Sequence, residues 1–495
     1  MASFWSTTIS LANVGASRTD FGNLLVVGFM QRITDVIGEY STSSEMSTAG
    51  YRPTDAEMLA AQKIEAQEQR VSSFKVGRRQ LPPTMAVTLT PTALNSKIYR
   101  VLVNNTAAEY TSDATATVAE ITAGLKIAID ALAPAAWAPS TTYTAGQTRT
   151  NDSGKIYKVT TGGVSAGSGG PTGAAVAITD NTVVWEMIGV VPTVTDATTH
   201  LTIVSPVAGQ NVFVSIDGSP AYAGHAGLSL TYDHADPGIA TDLSAMLAAD
   251  ADWYAFSIIG ASEAEVASAA AWAASNHKLY VQASSQSALI NNASNLAATL
   301  TLADNPRTSI IYRADQRDMY EFGLMGKQLS RLAGSGNWAY VTVQGSLPDY
   351  LTTAHISNLN ASRCNYVENR KGITGFFEGM TCSSNMWLDI VRGRDWFVDE
   401  LDANLYEMQV NAANSSIGKI PYTDAGISSV KSAIRQTGES GVNRNFLVAG
   451  TLNISVPEAA DIPAATRATR RLSGIIVQAT LVGAINGGSV TVTLT

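Results

Sequence analysis

Four aromatic side chains are the residues of this sequence best suited to bind a ligand. Trp137, Tyr143, Tyr157 and Trp185 lie in a segment, residues 135–190, that is rich in Gly, Ser and Thr and poor in Leu. Flat aromatic rings stack on the apolar faces of sugars, so carbohydrate binding is one interpretation. The other is that the rings form the core of a small all-β module, because a segment with so few aliphatic side chains must bury something. The composition favours the core interpretation.

Catalytic patterns elsewhere are weak. Gly163-Val-Ser165-Ala-Gly167 matches the G-x-S-x-G pattern of hydrolases, but Ser-Gly-Gly-Pro follows it, and that motif needs a helix after the serine. The predicted parallel strands described below end without a glycine-rich phosphate-binding turn. The nearest pair among the five histidines, His225 and His234, has no third ligand at metal-binding spacing. The sequence therefore predicts no enzyme activity and no cofactor.

Charge and hydropathy exclude several classes of partner. The chain has 495 residues, a formal net charge of -9 and 15% charged residues. Nucleic acids and anionic membranes require a basic surface, so neither is an expected partner. The apolar run Leu24–Met30 is too short to span a bilayer, and residues 1–8 lack a secretory signal pattern. We therefore expect a cytoplasmic protein with Cys364 and Cys382 as free thiols.

Strands and helices alternate after residue 235 as in a parallel sheet. The apolar runs predict strands at 253–260, 278–283, 309–313 and 338–343, with helices at 264–275, 287–301 and 315–332 between them. Two longer helices are predicted at 384–410 and 424–436. Capping-box pairs that mark helix starts are Thr54 with Glu57, Thr117 with Glu120, and Ser262 with Glu265. Strand–helix–strand repeats of this kind require parallel crossovers.

The predicted fold class is a multidomain α+β protein. It has an α/β core completed by the N- and C-terminal segments, a β-rich domain and a small all-β insertion. The predicted domains are an N-terminal arm with the first strand (1–30), a helical part of the core (31–82), a β-rich domain (83–134 with 191–235), the inserted module (135–190), the α/β core (236–486) and a C-terminal arm strand (487–495).

Apolar and polar residues alternate near both ends of the chain, and this pattern predicts strands without an obvious local partner. Apolar residues recur at Ile9, Leu11 and Val14 at one end and at Val490, Val492 and Leu494 at the other. A two-faced strand must pair with something, either its own sheet or a neighbour's, and 474–482 is the one local candidate for the last strand. We expect these residues to pair between subunits. Three arginines before the C-terminal arm are expected either to meet acidic surfaces of a neighbouring copy or of a partner protein, or to be solvated: Arg467, Arg470 and Arg471.

The order of these elements resembles the contractile bacteriophage tail sheath proteins of the myovirus type. The resemblance covers most of the chain outside 135–190, and no single motif is diagnostic. It is carried by the segments 8–14, 21–28, 99–110, 124–130 and 247–255, followed by α/β crossovers and C-terminal strands. The insertion is similar to small carbohydrate-binding β modules of phage surface proteins, through Trp137, Tyr143, Gly146, Tyr157 and Trp185.

The resemblance implies a structural virion protein. Sheath subunits polymerise as a helical cylinder around the tail tube, share arm strands with adjacent copies, and contract to drive the tube through the host envelope. The implied partners are further copies of the chain, the tail tube protein, and the baseplate and tail terminator proteins. The implied location is the phage tail, assembled in the host cytoplasm. Two alternatives stay open: an adhesin that binds host surface glycans through 135–190, and an α/β enzyme of unrecognised type.

Overall fold

A computed structural model describes residues 21–486. Its mixture of helices and separate sheets makes the chain a multidomain α+β protein, which confirms the predicted fold class. Two compact units are present. The larger comprises Gly22–Arg331 and Trp338–Leu388, and the described part of the smaller comprises Phe21, Leu332–Asn337 and residues 389–486. The predicted α/β core, 236–486, therefore contributes to both units.

The strands, in chain order, are β1 (Leu24–Gly28), β2 (Ile37–Tyr40), β3 (Phe74–Arg78), β4 (Ala86–Pro91), β5 (Ile98–Val103), β6 (Thr106–Thr111), β7 (Thr142–Tyr143), β8 (Thr148–Asn151), β9 (Lys155–Thr161), β10 (Gly163–Val164), β11 (Ile178–Asp180), β12 (Val183–Val190), β13 (Thr193–Asp196), β14 (Leu201–Val204), β15 (Val214–Ile216), β16 (Leu228–Tyr232), β17 (Ala255–Ile258), β18 (Leu279–Ser284), β19 (Thr308–Tyr312), β20 (Tyr366–Arg370), β21 (Ile373–Phe377), β22 (Asn453–Ser455) and β23 (Ile476–Gln478).

The α-helices are α1 (Ser43–Thr48), α2 (Ala56–Glu65), α3 (Val118–Asp130), α4 (Gly224–Gly227), α5 (Ile239–Ala249), α6 (Glu263–Ser275), α7 (Ala288–Asn291), α8 (Leu296–Leu302), α9 (Tyr320–Leu329), α10 (Thr353–Ala361), α11 (Leu388–Ala413), α12 (Asp424–Asn443) and α13 (Ala464–Ala468). A 3₁₀ turn covers Gln316–Asp318. No helix of the described range 21–486 is long and apolar enough to cross a membrane.

The centre of the larger unit is a sheet in the order β19-β18-β17-β1-β3-β2. Every pairing in it is parallel except that of β2 with β3. Strands β1, β17, β18 and β19 are buried along their whole length, as expected of parallel strands covered on both faces by helices. The strands predicted from 253 to 313 and the helix predicted at 264–275 are confirmed, whereas the helix predicted at 287–301 forms as two short helices, α7 and α8.

Local capping patterns locate two of the three predicted helix starts. Thr117 with Glu120 and Ser262 with Glu265 form complete capping boxes before α3 and α6. The third prediction, Thr54 with Glu57, is wrong, because α2 begins after Asp55. Glu57 points instead into the protein and accepts a hydrogen bond from the Met30 backbone N–H at 2.9 Å. A tertiary contact thus overrides a local signal.

The β-rich part is assembled from both sides of the insertion. One sheet has the order β13-β14-β4-β16, and its central strand β4 precedes residues 135–190 whereas its neighbours follow them. A second sheet has the order β15-β5-β6, with α3 packed against β6. Chain segments 83–134 and 191–235 therefore fold together, and 135–190 leaves and re-enters as a separate module. That inserted module contains the sheet β11-β12-β9-β8 and the short pair β10-β7.

The strand predicted at 338–343 does not form. Tyr340 adopts a left-handed backbone conformation (φ 63°), which interrupts an extended segment. The segment keeps two backbone hydrogen bonds to β21, from Tyr340 N–H to the Phe376 carbonyl at 2.7 Å and from Phe376 N–H to the Val341 carbonyl at 3.0 Å. It therefore flanks β21 without continuing the parallel sheet.

Candidate assembly interface

The smaller unit carries a two-stranded antiparallel ribbon close to the end of the described chain. In it β22 pairs with β23, with Ile454 opposite Val477. The pairing resumes farther along, where Val448 N–H donates to the Thr480 carbonyl at 2.8 Å and Val482 N–H to the Phe446 carbonyl at 3.0 Å. We call residues 446–455 and 476–482 the C-terminal ribbon.

This ribbon has open edges and exposed apolar side chains. Within residues 21–486, β22 and β23 have each other as their sole strand partners. Ile454 is buried, but Ile476 is 57% exposed and Ile485, just beyond the ribbon, is 92% exposed. An unpaired strand edge next to exposed apolar side chains is a template for adding a further strand.

Helix α12 supports the ribbon through close packing. A Cβ atom added at Gly438 would lie 2.2 Å from Leu452 Cδ2, and one added at Gly441 would lie 2.9 Å from Leu447 Cδ1. Glycine at these positions allows the ribbon to approach the helix backbone. The ribbon is therefore held on a rigid element, although each of its strands is short.

Both ends of the described chain belong to the unit that carries the ribbon. At the start, the buried Arg392 of α11 donates a hydrogen bond to the Phe21 carbonyl at 2.9 Å. At the end, the Asn337 side-chain amide donates to Asn486 Oδ1 at 2.6 Å. Phe21 and Asn486, the first and last described residues, are thus both anchored in the smaller unit.

The predicted arm residues themselves lie outside the described residues. Their pairing between subunits stays a prediction: Ile9, Leu11, Val14, Val490, Val492 and Leu494. Arg467, Arg470 and Arg471 lie on and just after α13, in the unit that carries the ribbon, and all three are exposed. Their role as interface charges also stays a prediction.

Burial distinguishes between the two interpretations of the aromatic rings in the inserted module. Tyr143, Tyr157 and Trp185 are at most 1% exposed and form the centre of the module's core. Trp137 is half-buried against this core, and its indole N–H donates to Asp180 Oδ2 at 2.8 Å. The Trp185 indole N–H donates to the same oxygen at 3.0 Å. Buried rings have no free face for a sugar, so the core interpretation accounts for these residues.

The crevice at which α/β sheets usually bind ligands lies, in this sheet, beyond β1 and its neighbours β3 and β17, where the strand order reverses. Gly260, just after β17, has a φ of 63°, and a Cβ there would lie 2.2 Å from Met85 Cε and 3.6 Å from Phe213 Cε1. Side chains that precede β4 and β15 therefore pack closely against this turn.

A buried network of charged side chains lies at the same edge of the sheet. Arg79, at the end of β3, is paired with Asp236, Asp242 and Glu265. Glu265 also contacts His234 Nε2 at 2.6 Å and accepts a hydrogen bond from Ser262 N–H at 2.8 Å. Burial alone would raise the pKa of Glu265, but the hydrogen bond to His234 and the charge of Arg79 outweigh it and lower that pKa. The network joins α5 and α6 to the segment after β16, as expected of structural ion pairs.

An open cleft of about 820 Å³ in the larger unit contains a buried ion-pair network around Arg313. Arg313 contacts Asp318 at 2.9 Å and Asp349 at 2.8 Å. Burial raises the pKa of Asp349 to about 6, and burial lowers the pKa of His225 to about 4. Within 21–486, no group of three or more His, Cys, Asp or Glu side chains is placed to hold a metal ion.

Comparison with known proteins finds similarity among solved structures. No protein-family model matches the chain, and the search of curated protein sequences finds no relative. Among solved structures, the chain is similar to the sheath tail protein Lin1278 from Listeria innocua, with a TM-score of 0.44 and 12% sequence identity. The similarity covers 95% of this chain and 92% of that protein. At this TM-score it carries no argument about function.

Proposed function

We propose that the protein is the structural subunit of a contractile phage tail sheath, linked to its neighbours by shared arm strands. The observation that carries the proposal is that residues 21 and 486 belong to the same unit as a ribbon whose edges pair with no further strand among residues 21–486. A segment leaving one copy can then add to the ribbon of the next. The alternating patterns of 9–14 and 490–494 and the sequence resemblance to sheath proteins support the same assignment.

Strand addition suits a polymer that must stay connected while it changes shape. Each main-chain hydrogen bond contributes about 0.5–1.5 kcal/mol net, so several bonds per arm, repeated at every subunit, form a strong mesh. Arms joined to the bodies by flexible segments would let the bodies rotate without losing their links. Contraction then requires two packings of one lattice, with the extended packing kinetically trapped.

The partners that follow from this proposal are further copies of the chain, the tail tube, the baseplate and the tail terminator. The protein would assemble in the host cytoplasm and function in the virion tail, where contraction drives the tube through the host envelope. We assign it no catalytic role and no cofactor. The predicted parallel strands end without a glycine-rich phosphate-binding turn, which supports that part of the proposal.

Negative-stain electron microscopy of the purified full chain tests the proposal. We expect hollow cylinders, because the subunits supply their own strand partners. Isolated particles at every protein concentration would overturn the sheath assignment. An adhesin of the kind considered above would give such particles together with glycan binding.

A further inference from the structure

The inserted module reaches beyond the β-rich part that hosts it and contacts the α/β part of the same unit. The contact is made by Arg52, in the loop between α1 and α2, whose side chain is 4% exposed. Its guanidinium donates hydrogen bonds to the carbonyl oxygens of Met187 in β12 and of Ala174 in the preceding loop. One charged side chain thus holds two separate segments of the module.

The Arg52 backbone is itself fixed by hydrogen bonds to Asp55. Asp55 Oδ2 accepts a hydrogen bond from Arg52 N–H at 2.8 Å, and Asp55 N–H donates to the Arg52 carbonyl at 3.0 Å. Arg32 then binds both oxygens of Asp55, at 2.8 and 2.9 Å. The Arg52 guanidinium is therefore presented from a rigid loop.

The Met187 carbonyl, which accepts a hydrogen bond from Arg52, lies at an irregularity in the module's own sheet. The pairing of β12 with β9 shifts register between Met187 and Gly189. A bulge of this kind interrupts the ladder and frees backbone groups for another partner. Glu186 Oε1 lies 3.9 Å from Arg52 Nε and adds a charge of opposite sign. A planar guanidinium can satisfy two carbonyls at once, whereas a lysine ammonium lacks that fork geometry.

We propose that Arg52 clamps the inserted module to the α/β part, so that the two move as one rigid body. The module is then a fixed projection, and in a polymer its spacing would follow the lattice. This inference does not depend on the sheath assignment, because it concerns a single chain. The clamp can therefore be tested in monomers as well as in cylinders.

Hydrogen–deuterium exchange of the full chain tests the clamp. In Arg52→Ala we expect amides of 174–190 to exchange at least about tenfold faster, because local opening of the module becomes easier. Amides of β17 and β18 should keep their protection. Arg70→Ala is the matched control, since Arg70 is exposed and also donates to a backbone carbonyl, that of Glu65, at 2.7 Å.

Unchanged exchange of 174–190 in Arg52→Ala would overturn the proposal. If Arg52→Ala does not fold, Arg52→Lys replaces it, because lysine keeps the charge and most of the stem but lacks the fork. Faster exchange confined to the module in Arg52→Lys supports the clamp. Equal loss of protection throughout the chain in both variants contradicts it, because a clamp should act on the module first.

Discussion

Two carboxyl groups in the larger unit are buried without full hydrogen bonding. Glu57 on α2 and Glu321 on α9 each leave one oxygen, Oε2, without a partner. Burial raises the pKa of Glu57 to about 7 and that of Glu321 to about 8. The folded protein therefore holds protons on these groups that the unfolded chain would release above its ordinary carboxyl pKa. The contribution of these two groups to stability therefore declines as pH rises through this range.

This gives a prediction for Glu321→Gln. Between about pH 5 and about pH 8, Glu321 binds more protons in the native state than in the unfolded state, so its contribution to the free energy of unfolding falls as pH rises. One such group contributes a slope of up to about 1.4 kcal/mol per pH unit. A neutral glutamine removes that contribution, and urea unfolding across this range should show a shallower decline. The exposed Glu68→Gln is the control. An unchanged slope in Glu321→Gln would contradict the assignment.

Residue patterns predict structure well where the determining contacts are local. The capping boxes at Thr117 and Ser262 lie within one turn of chain, and both form. The box at Thr54 fails because Glu57 finds a partner in Met30, 27 residues away. Asn365 shows the same limit: its side-chain oxygen accepts from the backbone N–H groups of Glu378, Gly379 and Met380. Nothing in the sequence around Asn365 indicates those distant partners.

At the scale of elements, apolar runs and their spacing predict the parallel strands and most helices. The pairing partner of a strand is harder to predict from sequence, because the limits of a short strand such as β22 depend on the segment that hydrogen-bonds to it. The ribbon strand β23 falls inside the predicted partner segment 474–482, but its pairing with residues 453–455 has no sequence signature. The aromatic rings of 135–190 have equally suitable shapes for a core and for a sugar site. Burial, which depends on the whole module, decides between them.

The ribbon yields a prediction at this scale. Ile476→Lys places a charge on β23 at a position that is 57% exposed in the single chain. If a neighbour's strand covers it, the charge must lose its water, and the protein concentration needed for polymer formation should rise at least about tenfold, or about 1.4 kcal/mol per contact. Pelleting of polymers across a concentration series measures this. Ile373→Lys, in β21 and 67% exposed, is the matched control. Equal effects of both substitutions, or none, would contradict a role for the ribbon edge.

The whole molecule has two compact units, and an open cleft of the larger one, about 820 Å³, contains Arg313 paired with Asp318 and Asp349. The described chain begins and ends in the smaller unit. Composition predicts a surface suited to packing between copies, because a chain with 15% charged residues has few ions to desolvate when copies pack together. The division near residue 389 follows from long-range contacts that no local pattern records.

Deleting residues 487–495 removes one arm and leaves every described residue in place, so it isolates the contribution of that arm to assembly. We predict that the shortened chain unfolds like the full chain in urea, sediments as a monomer and forms no cylinders in electron micrographs, whereas the full chain forms them. Cylinders of normal length and abundance from the shortened chain would contradict the claim that subunits are joined through this arm.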